Sequence, residues 1–94
     1  MVLEELIDLL KKRGVHDTFQ ILSQFKNNKA ERSAFYKEFK KISYYNGFLR
    51  VKDKLIEKVL IKIEKVNNKT YIRLTKKGKM MLDKLVELNN LLKE

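Results

Sequence analysis

Lysine and arginine are the side chains through which this sequence can do chemistry, and they are unevenly spread. Residues 26–79 carry 17 basic groups against 5 acidic ones, while residues 1–25 and 80–94 each sum to −1, so the net charge of +10 lies wholly in the middle block. A cationic block of this kind suits a polyanion, nucleic acid above all. The materials for covalent or metal chemistry are missing. There is no Cys and a single His, His16, and no glycine-rich phosphate loop precedes a helix. Glu4 with Glu5 and Asp83 with Glu87 are paired carboxylates, but each pair lies on a face that a helix would turn to water. The sequence therefore predicts a binding protein rather than an enzyme, with no cofactor and no metal.

At 94 residues, 44% hydrophobic and 36% charged, the chain suits one folded domain, residues 1–94. No apolar run is long enough to span a membrane. The opening MVLEELIDLL places Glu4, Glu5 and Asp8 where a signal peptide needs basic and then purely apolar residues. A cytoplasmic location without a membrane partner is expected.

The elements that must position the cations are set by periodicity. Leu3, Leu6, Ile7 and Leu10 recur at helical spacing and predict a helix over Val2 to Arg13, stopped by Gly14. A second helix starts at Val15 or Asp17 and reaches Lys26, with Phe19, Leu22 and Phe25 as its stripe. His16 stands at its start in a capping or surface role. Asn27-Asn28-Lys29 breaks it. A third helix, Ala30 to Ile42, buries Phe35, Phe39 and Ile42. Ser43-Tyr44-Tyr45-Asn46-Gly47 then interrupts the pattern, and either Ser43 or Asn46 can cap the next helix. This fourth helix reaches Lys58 with Phe48, Val51, Leu55 and Val59 along one face and Arg50, Asp53, Lys54 and Glu57 opposite. Asp53 and Glu57 would repel phosphates, so they are expected to face a flank or to pair with lysines.

The period then changes to two. Residues 61–66 alternate apolar and charged as a half-buried strand does, Asn67-Asn68 supplies a turn, and residues 69–74 return as its partner. Thr75 caps a last helix from Lys76 to Lys93. There Met81, Leu85, Leu88 and Leu92 follow a coiled-coil spacing, and Leu82, Val86 and Leu91 form a second stripe. One stripe can seal the core and the other can meet a second copy.

This layout resembles a winged helix-turn-helix domain, and specific residues carry the resemblance. Leu55-x-x-x-Val59-Leu60-Ile61 is similar to the family's recognition-helix ending, where a Leu precedes a Gly-Leu-Ile triplet by four positions; Val59 replaces the Gly. Tyr71-x-x-Leu74-Thr75-x-x-Gly78 resembles the Tyr-x-Leu-Thr-x-x-Gly ending of the wing, with one extra residue. Phe35-x-x-x-Phe39-x-x-Ile42 stands where the first helix of the pair packs under the second. The likeness covers residues 15–85, and small MarR-, ArsR- and PadR-like regulators fit it best, including short proteins encoded by archaea, their viruses and plasmids.

The resemblance implies a mainly α fold with a two-stranded β-hairpin (α+β). Residues 15–75 would form the helix-turn-helix and wing, and residues 76–94 a dimerisation helix. It implies double-stranded DNA as partner and a homodimer through Met81, Leu85, Leu88 and Leu92. The first turns of the fourth helix would enter the major groove, which nominates Tyr44, Tyr45, Asn46, Arg50 and Lys54. Arg50 suits a bidentate contact to guanine and Asn46 one to adenine. Lys65, Asn67, Asn68 and Lys69 on the wing would lie along backbone or minor groove, and Lys37, Lys40 and Lys41 on the third helix would face backbone phosphates at the entry to the groove. Plainer roles stay open: Tyr44 and Tyr45 as packing residues, Asn46 as a cap, Lys54 as a solvated or phosphate-facing lysine. A protein-docking winged helix and a non-specific nucleic-acid binder are the alternatives.

Overall fold

The computed structural model describes residues 3–43 and 45–94. Its elements run α1 (Glu4–Leu10), α2 (Arg13–Ser23), β1 (Lys29–Glu31), α3 (Arg32–Ile42), α4 (Tyr45–Glu57), β2 (Ile61–Val66), β3 (Lys69–Leu74) and α5 (Lys76–Leu92). A single 3₁₀ turn at Lys26–Asn28 links α2 to β1. The result is a winged-helix-like α+β arrangement, helices packed on a small antiparallel sheet.

That sheet has three strands where two were expected, in the order β1-β3-β2. The extra strand pairs Lys29 with Arg73, Ala30 with Ile72 and Glu31 with Tyr71. Residues 30 and 31 therefore belong to this strand and not to the third helix, which starts at Arg32. Asn27 and Asn28 take left-handed backbone, φ 59° and 53°, and the Asn28 amide donates to the Leu22 carbonyl at 3.2 Å. Asparagine tolerates this conformation, so the pair swings the chain from α2 into the sheet edge. Asn67 and Asn68 play the same part at the wing tip, with φ 51° and 67°. They close the two-residue turn between Val66 and Lys69, as a primed hairpin turn requires.

Three phenylalanines hold α3 and α4 together. Phe35, Phe39 and Phe48 are fully buried, and the Phe35 and Phe48 rings meet edge to face at 4.7 Å, a favoured aromatic geometry. Val51 and Leu55 continue the buried face of α4, and Phe19, Ile21 and Leu22 meet the core from α2. Ile42 and Val59, expected inside, are largely exposed. α1 is shorter than its periodicity suggested; it buries Leu9 and leaves Leu3 and Ile7 exposed.

Gly14 does not stop α1. The chain leaves the helix at Lys12, which is extended, and Gly14 lies in the first turn of α2. A Cβ there would fall 2.2 Å from the Gly47 carbonyl oxygen, so α2 and α4 cross backbone against backbone.

The end of α4 explains the first of the two motifs. The Leu60 N–H donates to the Leu55 carbonyl and the Val59 N–H to that of Ile56, both at 2.9 Å. With Val59 at φ 61°, this is a Schellman ending, and buried Leu55 and Leu60 provide its apolar contact. The second motif meets it here. The Thr75 hydroxyl donates to the Val59 carbonyl and accepts from the Gly78 N–H at 2.9 Å, while the Thr75 N–H donates to the Leu60 carbonyl at 3.1 Å.

Two substitutions test this junction by urea unfolding. A β-branched residue in the left-handed region is strained by roughly 1–2 kcal/mol, and glycine's extra chain entropy returns about half of that. Val59→Gly should therefore stabilise the fold by about 0.5–1 kcal/mol; a loss would mean that the Val59 side chain matters more than its backbone. A Cβ at Gly78 would fall 2.0 Å from the Leu60 oxygen. That oxygen belongs to fixed backbone, so Gly78→Ala should cost about 2 kcal/mol or more despite alanine's better helix propensity.

Candidate nucleic-acid interface

α4 is pinned to the body by Phe48, Val51 and Leu55, which leaves Asn46, Leu49, Arg50, Asp53, Ile56 and Glu57 exposed. Of the residues nominated on this helix, Asn46 and Arg50 lie in its first two turns and reach solvent. Tyr44 lies outside the described residues, as does the side chain of Tyr45.

Lys54 behaves differently. Its ammonium donates to the Asp8 carboxylate of α1 at 3.0 Å, and one turn later Lys58 approaches Glu5 at 3.8 Å. The Lys54 hydrogen bond and charge, with Lys12 adding its own, hold the Asp8 carboxyl below its usual 3.8. α1, which sequence reading treats only as a packing helix, thus neutralises the C-terminal half of α4. Around this contact Glu5, Asp8, Lys54, Lys58 and Lys77 ring a hollow of about 350 Å³ with an apolar floor that includes Leu9, Leu60 and Met81. Asp53 and Glu57 make no ion pair among the described residues and face outward, against the expectation that a flank or a lysine would take them.

A second hollow, of about 530 Å³, opens at the other end of α4. Lys12 and Arg13 from the start of α2, Ser43 after α3, and Asn46, Gly47 and Arg50 from α4 line it. Among the described residues no carboxylate does. By sequence, Lys12 and Arg13 group with the acidic N-terminal block. Their only advance signal is the Lys11-Lys12-Arg13 run beside Gly14, because the glycine crossing that carries them to α4 has no local signature. His16, next to them, donates from its ring to the Leu10 carbonyl and so ties α2 to the end of α1.

On the wing, Lys65, Asn67, Asn68 and Lys69 are exposed. Lys65 and Lys69 have no ion-pair partner among the described residues, and the same is true of Lys37 and Lys40 on α3; Lys41 pairs with Glu38 at 3.1 Å. The outward face of the sheet is mixed. Arg73 meets Glu64 at 2.8 Å, Lys62 approaches the same carboxylate, and the Lys29 ammonium lies 4.6 Å from the centre of the Tyr71 ring. On α5, Met81 packs against the core beside Leu82, Leu85 is half-buried, and Leu88 and Leu92 project with Leu91, Leu92 being 83% exposed. Among the described residues no group of His, Asp and Glu could hold a metal ion, and no helix is long and apolar enough to cross a membrane.

The Asp8–Lys54 pair has a pH signature. A carboxyl whose folded pKa is depressed contributes stability above its unfolded value and loses it as pH falls through the folded one. In NMR titration Asp8 should titrate below 3.8 in the intact protein and return towards it in Lys54→Met. An unchanged Asp8 value in that variant would show that the pair is not formed.

No family model and no curated protein matches this chain. Among solved structures, the fold matches that of Sso10a-2, a DNA-binding protein from Sulfolobus solfataricus, with a TM-score of 0.56 over 81% of this chain and 80% of that one. The two sequences are 18% identical over the match, so the chain is similar to Sso10a-2 in fold.

Proposed function

We propose that this protein binds double-stranded DNA as a homodimeric, sequence-specific transcription regulator of the MarR-, ArsR- or PadR-like kind, acting by occupancy and without catalysis. The first turns of α4, with Asn46 and Arg50, meet the major groove. The tip of the wing lies along backbone or minor groove. The observation that carries this reading is the set of cations without internal partners, Arg50, Lys37, Lys40, Lys65 and Lys69, displayed on a winged-helix-like frame. Unpaired surface cations interact with phosphates without first breaking an internal pair. The DNA-binding description of Sso10a-2 supports the same reading.

The exposed Leu88, Leu91 and Leu92 of α5 support the dimer, since a helix that buries only its first half leaves an apolar end for a second copy. Two recognition helices in such a dimer would face half-sites about 34 Å apart or a multiple of it. The alternative of protein docking also has an observation in its favour. Leu49 and Ile56 are exposed together on α4, beside Asp53, a face better suited to a protein than to phosphates.

Fluorescence anisotropy on a duplex selected from a random library separates these readings. If six to ten phosphates are neutralised, affinity should fall by about 10³ to 10⁵ between 50 and 200 mM salt, and preference for the selected duplex over random sequence should exceed about 10³. Affinity that barely responds to salt, or that survives Arg50→Glu with Lys54→Glu, would favour protein docking. Equal affinity for both duplexes would favour the non-specific binder. Leu88→Lys with Leu92→Lys should turn a dimer into a monomer in sedimentation; a monomeric wild type would remove the two-fold model.

A further inference from the structure

α4 carries two hollows at its two ends, and they differ in charge. At the C-terminal end α1 supplies Asp8 and Glu5 to Lys54 and Lys58. At the N-terminal end Lys12, Arg13 and Arg50 share a hollow whose lining, among the described residues, holds no carboxylate. Lys12 and Arg50 have no ion-pair partner among the described residues, and Lys12 acts on the Asp8 carboxylate only through its field, after Lys54. Arg13 has only Asp17, one helical turn along at 3.7 Å, and its side chain stays 79% exposed. Three like charges around one concavity repel each other unless an anion joins them. The remaining polar lining, the Ser43 hydroxyl and the Asn46 amide, can donate hydrogen bonds to that anion.

We infer that this hollow is a phosphate-binding site, in which Arg50, Lys12 and Arg13 hold one phosphodiester of a nucleic-acid backbone. The donor set argues for phosphate over carboxylate. A guanidinium matches two phosphate oxygens at once, and the two further cations match a group whose charge is spread over oxygens pointing several ways. The glycine crossing beneath, where Gly14 meets the Gly47 carbonyl, carries Lys12 and Arg13 to α4. Arg50 then positions the duplex instead of reading guanine. The phosphate chemistry stands on the hollow alone; its assignment to a DNA backbone rests on the function proposed above.

The test has two arms, both on the full chain. Inorganic phosphate titrated into labelled protein should shift the Arg50 side-chain signal and the amide signals of Gly14 and Gly47, and Arg50→Gln should abolish the shifts. In the second arm, Lys12→Gln and Arg50→Gln are compared with wild type on selected and random duplexes across a salt series. Each should weaken both duplexes by the same factor, about tenfold or more, and lower the salt slope by about one, with wild-type thermal unfolding as the folding control. Loss confined to the selected duplex would make Arg50 a base reader and overturn the site, as would duplex binding with no phosphate shifts. Phosphate shifts without any duplex binding would leave the site standing and refute the DNA reading instead.

Discussion

The Leu60 carbonyl is the point on which the architecture turns. It accepts the Thr75 N–H and lies against Gly78, so one backbone oxygen joins the exit of α4, the base of the hairpin and the first turn of α5. Thr75 closes the junction from its own side, capping α5 and bonding the Val59 carbonyl. Without a side chain at position 78, α5 can start close enough to bring Met81 and Leu82 onto the core. The direction of α4 relative to the wing, on which any contact to a duplex depends, is set by these few bonds.

Electrostatics then divides α4. Its C-terminal half is matched by α1 carboxylates and carries Asp53 and Glu57 outward, while its N-terminal half joins the cations that begin α2. The polarity along one thirteen-residue helix is sharper than the net charge of the middle block suggests. Exposed ion pairs contribute little to stability, so the pairs with α1 matter more for what they remove from the surface than for holding α1 in place.

Much of this is legible in advance where the signal is local. The strand over Ile61 to Val66, the Asn67-Asn68 turn and the Thr75 cap depend on neighbouring residues, and each stands where the sequence predicts it, although Ile63 and Val66 are exposed. β1 is not legible, because three residues are too few for a period and Ala30 favours a helix. Gly14 reads as a helix stop because a glycine after three basic residues has that meaning locally. Its real partner, Gly47, is 33 positions away.

By itself the sequence determined the charge segregation and the helical and strand periods. Those are properties of composition and of neighbours along the chain. Only the tertiary structure decided which cations are neutralised and which are left over. Asp8 and Lys54 lie 46 positions apart, and whether two charges meet across such a span depends on how helices cross. It is a consequence of packing that no local pattern records.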